Sequence, residues 1–127
     1  MEKETKDNYT VALEDNIGEV QIADEVVAII AGIAAMEIDG VASMGGNTTR
    51  ELIQSLGKKS ISKGVKVDIL ENVVTVYTSL NIKYGYNIVE VTKKVQEKIK
   101  SAIESMTGLQ VADVNVRVVG VDVSEEA

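Results

Sequence analysis

The 127-residue chain has no cysteine, histidine, tryptophan, phenylalanine or proline, and its only aromatic residues are four tyrosines. Without cysteine there can be no disulfide, thiolate nucleophile or iron–sulfur ligation. Without histidine the commonest zinc ligand and the commonest general base are missing as well. Stability must therefore come from packing. A chain of this size buries roughly two-thirds of the surface exposed when unfolded, enough for one domain to stand without covalent or metal staples. Hydrophobic residues make up 45% of it, mostly Val, Ile and Ala, which predicts an aliphatic, β-branched core. Long apolar runs are scarce too. The longest, Val26 to Met36, has about half the length needed to cross a bilayer and is followed by Glu37 and Asp39. Direct membrane insertion is not expected. The start, Met-Glu-Lys-Glu-Thr-Lys-Asp, has no secretory-leader form, and a cysteine-free chain fits the reducing cytoplasm.

Positive charge is in deficit. The formal net charge is −7, so the molecule as a whole repels phosphate backbones and anionic lipid surfaces. Nucleic acid is an unfavoured partner on that ground. The distribution is uneven, however: Arg50, Lys58, Lys59, Lys63 and Lys66 face only Glu51 between positions 50 and 66.

Residues 1–16 mix charged and polar groups and are expected to form a mobile acidic arm, and 124–127 an acidic tail. The domain proper is expected over 17–123. Gly18 to Ile22 alternates and suits an edge strand; Ala23 to Ile38 reads as a helix with Asp24 and Glu25 in its first turn and Gly40 beyond its end. Val41 to Met44 suits a short strand, and a small helix capped by Thr48 or Thr49 is expected to end at Gly57. Period-two patterning from Gly64, a break at Glu71-Asn72, and a second arm over Val73 to Tyr84 predict a hairpin. Ile88, Val91, Val95, Ile99, Ala102, Ile103 and Met106 recur at helical spacing, ahead of Gly108 and a last strand over Leu109 to Val123 with a bulge at Val119-Gly120. A helix between two strands implies a parallel crossover, so the expected fold is α+β: two layers, a mixed sheet, two long helices on one face, and a short additional helix.

Carboxylates are the only abundant catalytic group. Asp24/Glu25, Glu37/Asp39 and Asp122/Glu125 fall at helix ends or the tail, where solvated acids belong. No catalytic, cofactor-binding or metal-ligating set is assigned. Candidate partner-binding residues come from three places. Asp113, Asn115 and Arg117 alternate with valines on the last strand and share one sheet face; Lys58, Lys59 and Lys63 form a basic loop; Tyr84 and Tyr86 flank a helix start where an anion can dock. Ala28, Gly32 and Ala35 give the first helix small surfaces that let another backbone approach closely, either its own sheet, which is the favoured reading, or a second subunit, for which they are the candidate self-association residues of a homo-oligomer.

Several segments have a familiar order: Ile22-Ala23-Asp24-Glu25-Val26, Ile33-Ala34, Gly40-Val41-Ala42-Ser43-Met44, Gly64-Val65-Lys66-Val67, Lys83-Tyr84-Gly85, Val95-Gln96, Met106-Thr107-Gly108-Leu109, and Val114-Asn115-Val116-Arg117-Val118-Val119-Gly120-Val121. Together, over about residues 17 to 123, they resemble the alkaline shock protein (Asp/Gls) family of Gram-positive bacteria. The Gly45 to Gly64 stretch, with Asn47 and Gly57-Lys58-Lys59, looks most like the branch encoded beside acetyl-CoA carboxylase genes. The resemblance implies a non-enzymatic cytoplasmic protein linked to envelope stress or to control of fatty-acid synthesis. The partners it implies are acetyl-CoA carboxylase subunits or a membrane-anchored protein. The chain has no long polar extension like those of the stress members, which weakens the case for envelope tethering. RNA binding through loop 58–63 and small-anion sensing at Tyr84 to Asn87 are the alternatives.

Overall fold

Val73–Lys83 (β5) is an eleven-residue strand that is paired along both edges. The structure, a computed structural model, describes residues 8–11, 18–45 and 64–123. Val65–Leu70 (β4) folds back on β5 through Glu71 and Asn72, at φ 54° and 67°. Two successive left-handed residues make the tight turn whose twist matches that of the strands it joins. Val41–Met44 (β3) then continues along the same edge, with Val41 opposite Ile82 and Met44 opposite Leu80. The shared edge is fixed by Ser79. Its amide donates to the Gly64 carbonyl and its carbonyl accepts from the Gly45 amide, both at 2.8 Å. Gln110–Asp122 (β6) runs parallel along the other edge, from Gln110 beside Val73 to Asp122 beside Lys83. The sheet is thus mixed and three strands wide, with β3 and β4 end to end.

Two helices cover one face of this sheet. Asp24–Met36 (α1) has little helix-favouring charge and is held by burial. Ile88–Thr107 (α2) is amphipathic: Val91, Val95, Ile99, Ile103 and Thr107 fall every fourth residue and are buried. Asn87 caps its start, its side-chain oxygen accepting from the Glu90 amide at 3.0 Å, and Gly108 ends it at φ 79°. The core forms where Val74, Val76, Leu80 and Ile82 of β5 meet Val27, Ala31, Ala34 and Ala35 of α1 and the α2 row. Each fully buried Val, Leu or Ile contributes roughly 1.5–3 kcal/mol, the main source of stability here. Thr78 occupies the same inward column, and its hydroxyl has no hydrogen-bond partner among the described residues.

The hairpin, the parallel crossover and the helices on one face are as the sequence predicts. So is the bulge at Val119, where the partner of Leu80 is Val118 and that of Asn81 is Gly120. A second register shift, between Val111 and Asp113, was not foreseen. Two expectations are corrected. Val20–Ala23 (β2) is not an edge of the main sheet but pairs antiparallel with Asn8–Val11 (β1), so part of the expected mobile arm is a strand. α1 ends at Met36 rather than Ile38. Its small residues pack inward, as the reading of the helix against its own sheet expects: Ala35 has no exposure, Ala28 has 8%, and Gly32 is buried with them. The large hydrophobic residues that α1 leaves exposed are Val26, Ile33 and Met36. The expected short helix at 48–57, the basic loop 58–63 and the tail 124–127 lie outside the described residues. No helix among the described residues is long and apolar enough to cross a membrane.

Candidate sheet-face binding surface

Because side chains alternate along a strand, each inward valine of β5 leaves its neighbour pointing away from the helices. The face opposite the core is therefore built from Thr75, Tyr77, Ser79, Asn81 and Lys83. β4 and β6 extend it in rows: Asp68, Thr75 and Asp113 form one, Lys66, Tyr77 and Asn115 the next, and Ser79 with Arg117 a third. No helix of the described residues lies over these rows. A depression of about 560 Å³ opens in this face, lined by Gly64, Lys66, Tyr77, Ser79, Asn115 and Arg117. Tyr77, one of its lining residues, is 48% exposed. The Asn115 side-chain amide donates to the Val76 carbonyl at 3.3 Å.

Charge is divided across the rows. Asp68 and Asp113 stand in the Thr75 row, Lys66 in the Tyr77 row and Arg117 in the Ser79 row, so the face runs from acidic to basic within an acidic molecule. The chemistry available is recognition: an aromatic plane, amide and hydroxyl groups, and one charge of each sign on either flank. Ser79 has no imidazole to activate it, since the chain contains none. Among the described residues there is no group of three or more His, Cys, Asp or Glu placed to hold a metal ion.

Asp113, Asn115 and Arg117 share one exposed face, as their spacing predicts, and Asp68 joins them through Thr75. Lys66 and Tyr77 belong with them and were missed as site residues. Their alternation was legible, but the register that sets both beside Asn115 joins positions far apart in the chain. Tyr84 and Tyr86 are elsewhere. Tyr84, 75% exposed, lies seven residues beyond Tyr77, roughly 23 Å along the strand direction. Tyr86 lies against Gly40, where an added Cβ would stand 2.8 Å from its ring. Lys58, Lys59 and Lys63 fall outside the described residues, yet their segment joins the described chain at Gly45 and Gly64, beside the depression.

A model of the alkaline shock protein 23 family, described as having a cell envelope-related function, matches residues 12–123. The Bacillus subtilis (strain 168) protein YqhY is 37% identical over 125 residues, covering 96% of this chain and 93% of that protein. Spy1614 of Streptococcus pyogenes serotype M6 is 34% identical over 119 residues, 92% of this chain and 98% of its own. A stress response regulator gls24 homolog of Streptococcus pyogenes serotype M3 is 26% identical over 125 residues, 98% of this chain and 68% of its own. Neither the family description nor these names denote an enzymatic activity. No solved structure matches the chain.

Proposed function

Since the chain belongs to the alkaline shock protein family, whose description is cell envelope-related, we propose that it is a non-enzymatic interaction or regulatory protein acting in the cytoplasm, and that it holds a protein partner on its open sheet face. The observation that carries this reading is Tyr77. A half-exposed ring between Lys66 and Asn115 in the middle of a sheet face is unneeded for the core, which closes entirely on the other side. Aromatic anchors of this kind, rimmed by polar groups, are where binding energy concentrates in protein interfaces.

The finer reading takes the partner to be an acetyl-CoA carboxylase subunit, and the role to be control of fatty-acid synthesis. It is supported by the likeness of the Gly45 to Gly64 segment to the carboxylase-adjacent branch. A membrane-anchored protein is the other partner class, supported by the envelope-related family description and by the stress-regulator relatives. With a net charge of −7, RNA is the less favoured ligand.

The test is a quantitative cross-linking capture from native lysate with wild-type protein and with Tyr77→Ala. The reading expects a carboxylase subunit or a membrane-anchored protein to be recovered with wild type and lost with the variant, at an unchanged unfolding midpoint. The same proteins captured at the same yield by both would refute it.

A further inference from the structure

β6 carries strand pairing on one edge only. Among the described residues nothing pairs with its other edge. The direction of that edge is marked by Gln96, whose side-chain amide donates to the Val114 carbonyl at 3.0 Å from outside the sheet. Backbone groups alternate along a strand, so those of Val116 point the same way as those of Val114, and those of Asn115 point to β5. Between the register shift before Asp113 and the bulge at Val119 lies a regular stretch, Asp113 to Val118. Its open-face side chains are Asp113, Asn115 and Arg117, and neither charged residue forms an ion pair among the described residues. A long unpaired edge is a template for another strand, and it is normally blunted by charge, bulges or cover. Here the regular stretch is flanked by bulges but not interrupted by one, and its two charges are opposite.

We propose that this edge pairs antiparallel with the same edge of a second copy of the chain, about a two-fold axis at Asn115. In that register Val114 and Val116 of each copy exchange backbone hydrogen bonds with Val116 and Val114 of the other. Asn115 faces its own copy, and Asp113 faces Arg117 twice. The charges select the register. An axis at Asp113 or at Arg117 would set like charges directly opposite each other, which is unfavourable. The two-fold stands perpendicular to the sheet, so the helix layers remain on one side and the sheets, each three strands wide, join into one that is six strands wide. The row of Lys66, Tyr77 and Asn115 then continues into its copy across the open face. The one contact given up is the exposed Gln96 hydrogen bond on Val114, replaced by a backbone donor. The pairing does not depend on the partner proposed above, because it uses the edge of β6 and not the ring of Tyr77.

The chain has no cysteine, so one introduced thiol reports one position. In a non-hydrogen-bonded antiparallel pair the facing Cα atoms are about 4.5 Å apart, within the range a disulfide spans. Purified full-length Asn115→Cys at micromolar concentration under mild oxidant is expected to form a disulfide-linked dimer. Lys66→Cys, in the same row but two strands from the edge, is expected to form no disulfide cross-link. In gel filtration or ultracentrifugation of the cysteine-free protein, Asp113→Arg is expected to weaken the dimer about tenfold by setting four arginines in two like-charge pairs. The charge-swapped Asp113→Arg/Arg117→Asp protein should recover it. The proposal is overturned if Asn115→Cys cross-links no faster than Lys66→Cys, or if the double swap dimerises no better than Asp113→Arg. Unfolding midpoints of all variants are measured alongside, and the cysteine comparison decides the matter should Asp113→Arg fail to fold.

Discussion

A Cβ placed on Gly64 would stand 2.5 Å from the backbone nitrogen of Gly45. Gly45 directly follows β3 and Gly64 directly precedes β4, and both are hydrogen-bonded to Ser79, so the two strands meet at a single point. The atoms a side chain would meet at Gly64 are backbone, including the Ser79 carbonyl oxygen at 2.7 Å, and cannot swing aside.

Gly64→Ala is therefore expected to cost about 3 kcal/mol, the upper part of the range for overpacking. Gly85→Ala has open space around the added methyl and only a φ of +100° to oppose it, so about 1 kcal/mol is expected. Urea unfolding of the two variants should show this difference in midpoint. Equal losses would mean that β3 and β4 do not meet as described.

Thr78→Val should stabilise the protein. The hydroxyl is 3% exposed as part of its residue and unpaired among the described groups, in a column otherwise made of Val, Leu and Ile. Replacing it by a methyl of nearly the same shape removes the penalty of a buried unsatisfied group, about 1 kcal/mol or somewhat more. A higher melting temperature is the expected outcome, and a lower one would show that the hydroxyl has a partner in solution.

Asn81→Ala should loosen β3. The Asn81 amide donates to the Ser43 hydroxyl at 3.0 Å and to the Gly45 carbonyl at 2.8 Å, across the register irregularity between Val41 and Ser43. Loss of both bonds is expected to cost about 1–2 kcal/mol. Hydrogen exchange should locate the effect, with faster exchange at the Gly45 amide and little change in α2.

Asn87→Ala removes the side-chain acceptor of the Glu90 amide at the start of α2 and should cost about 1 kcal/mol. Asn87→Asp keeps an acceptor at the positive end of the helix and should cost nothing measurable. Thermal unfolding of the pair separates the cap from any general effect at this position.

Local patterning carried most of the architecture. Alternation in Val73 to Lys83 identified both faces of β5, and the four-residue recurrence from Val91 to Ile103 marked the buried row of α2. Gly108 announced the end of that helix by its chemistry alone, whereas the cap at Asn87 is seen only in the structure. The candidate site was half legible. Asp113, Asn115 and Arg117 are one strand's alternate residues and could be read together, whereas Lys66 and Tyr77 reach them only through the antiparallel register of β4 and the parallel register of β6. The small residues of α1 left two readings open for a related reason. Ala28, Gly32 and Ala35 permit close approach, but a single sequence does not say whether the approaching element belongs to the same chain.

By itself the sequence determined the excluded chemistry, the aliphatic core, the hairpin, the crossover and the family, because these depend on side-chain type and on spacings within one element. Only the tertiary structure decided that β3 and β4 share an edge at Ser79, that β2 leaves the main sheet to pair with β1, and that Tyr77 stands exposed between Lys66 and Asn115. Those relations depend on register between distant segments, where shifting a strand by one residue exchanges its two faces, and the packing of the whole core selects among the registers that local pattern allows.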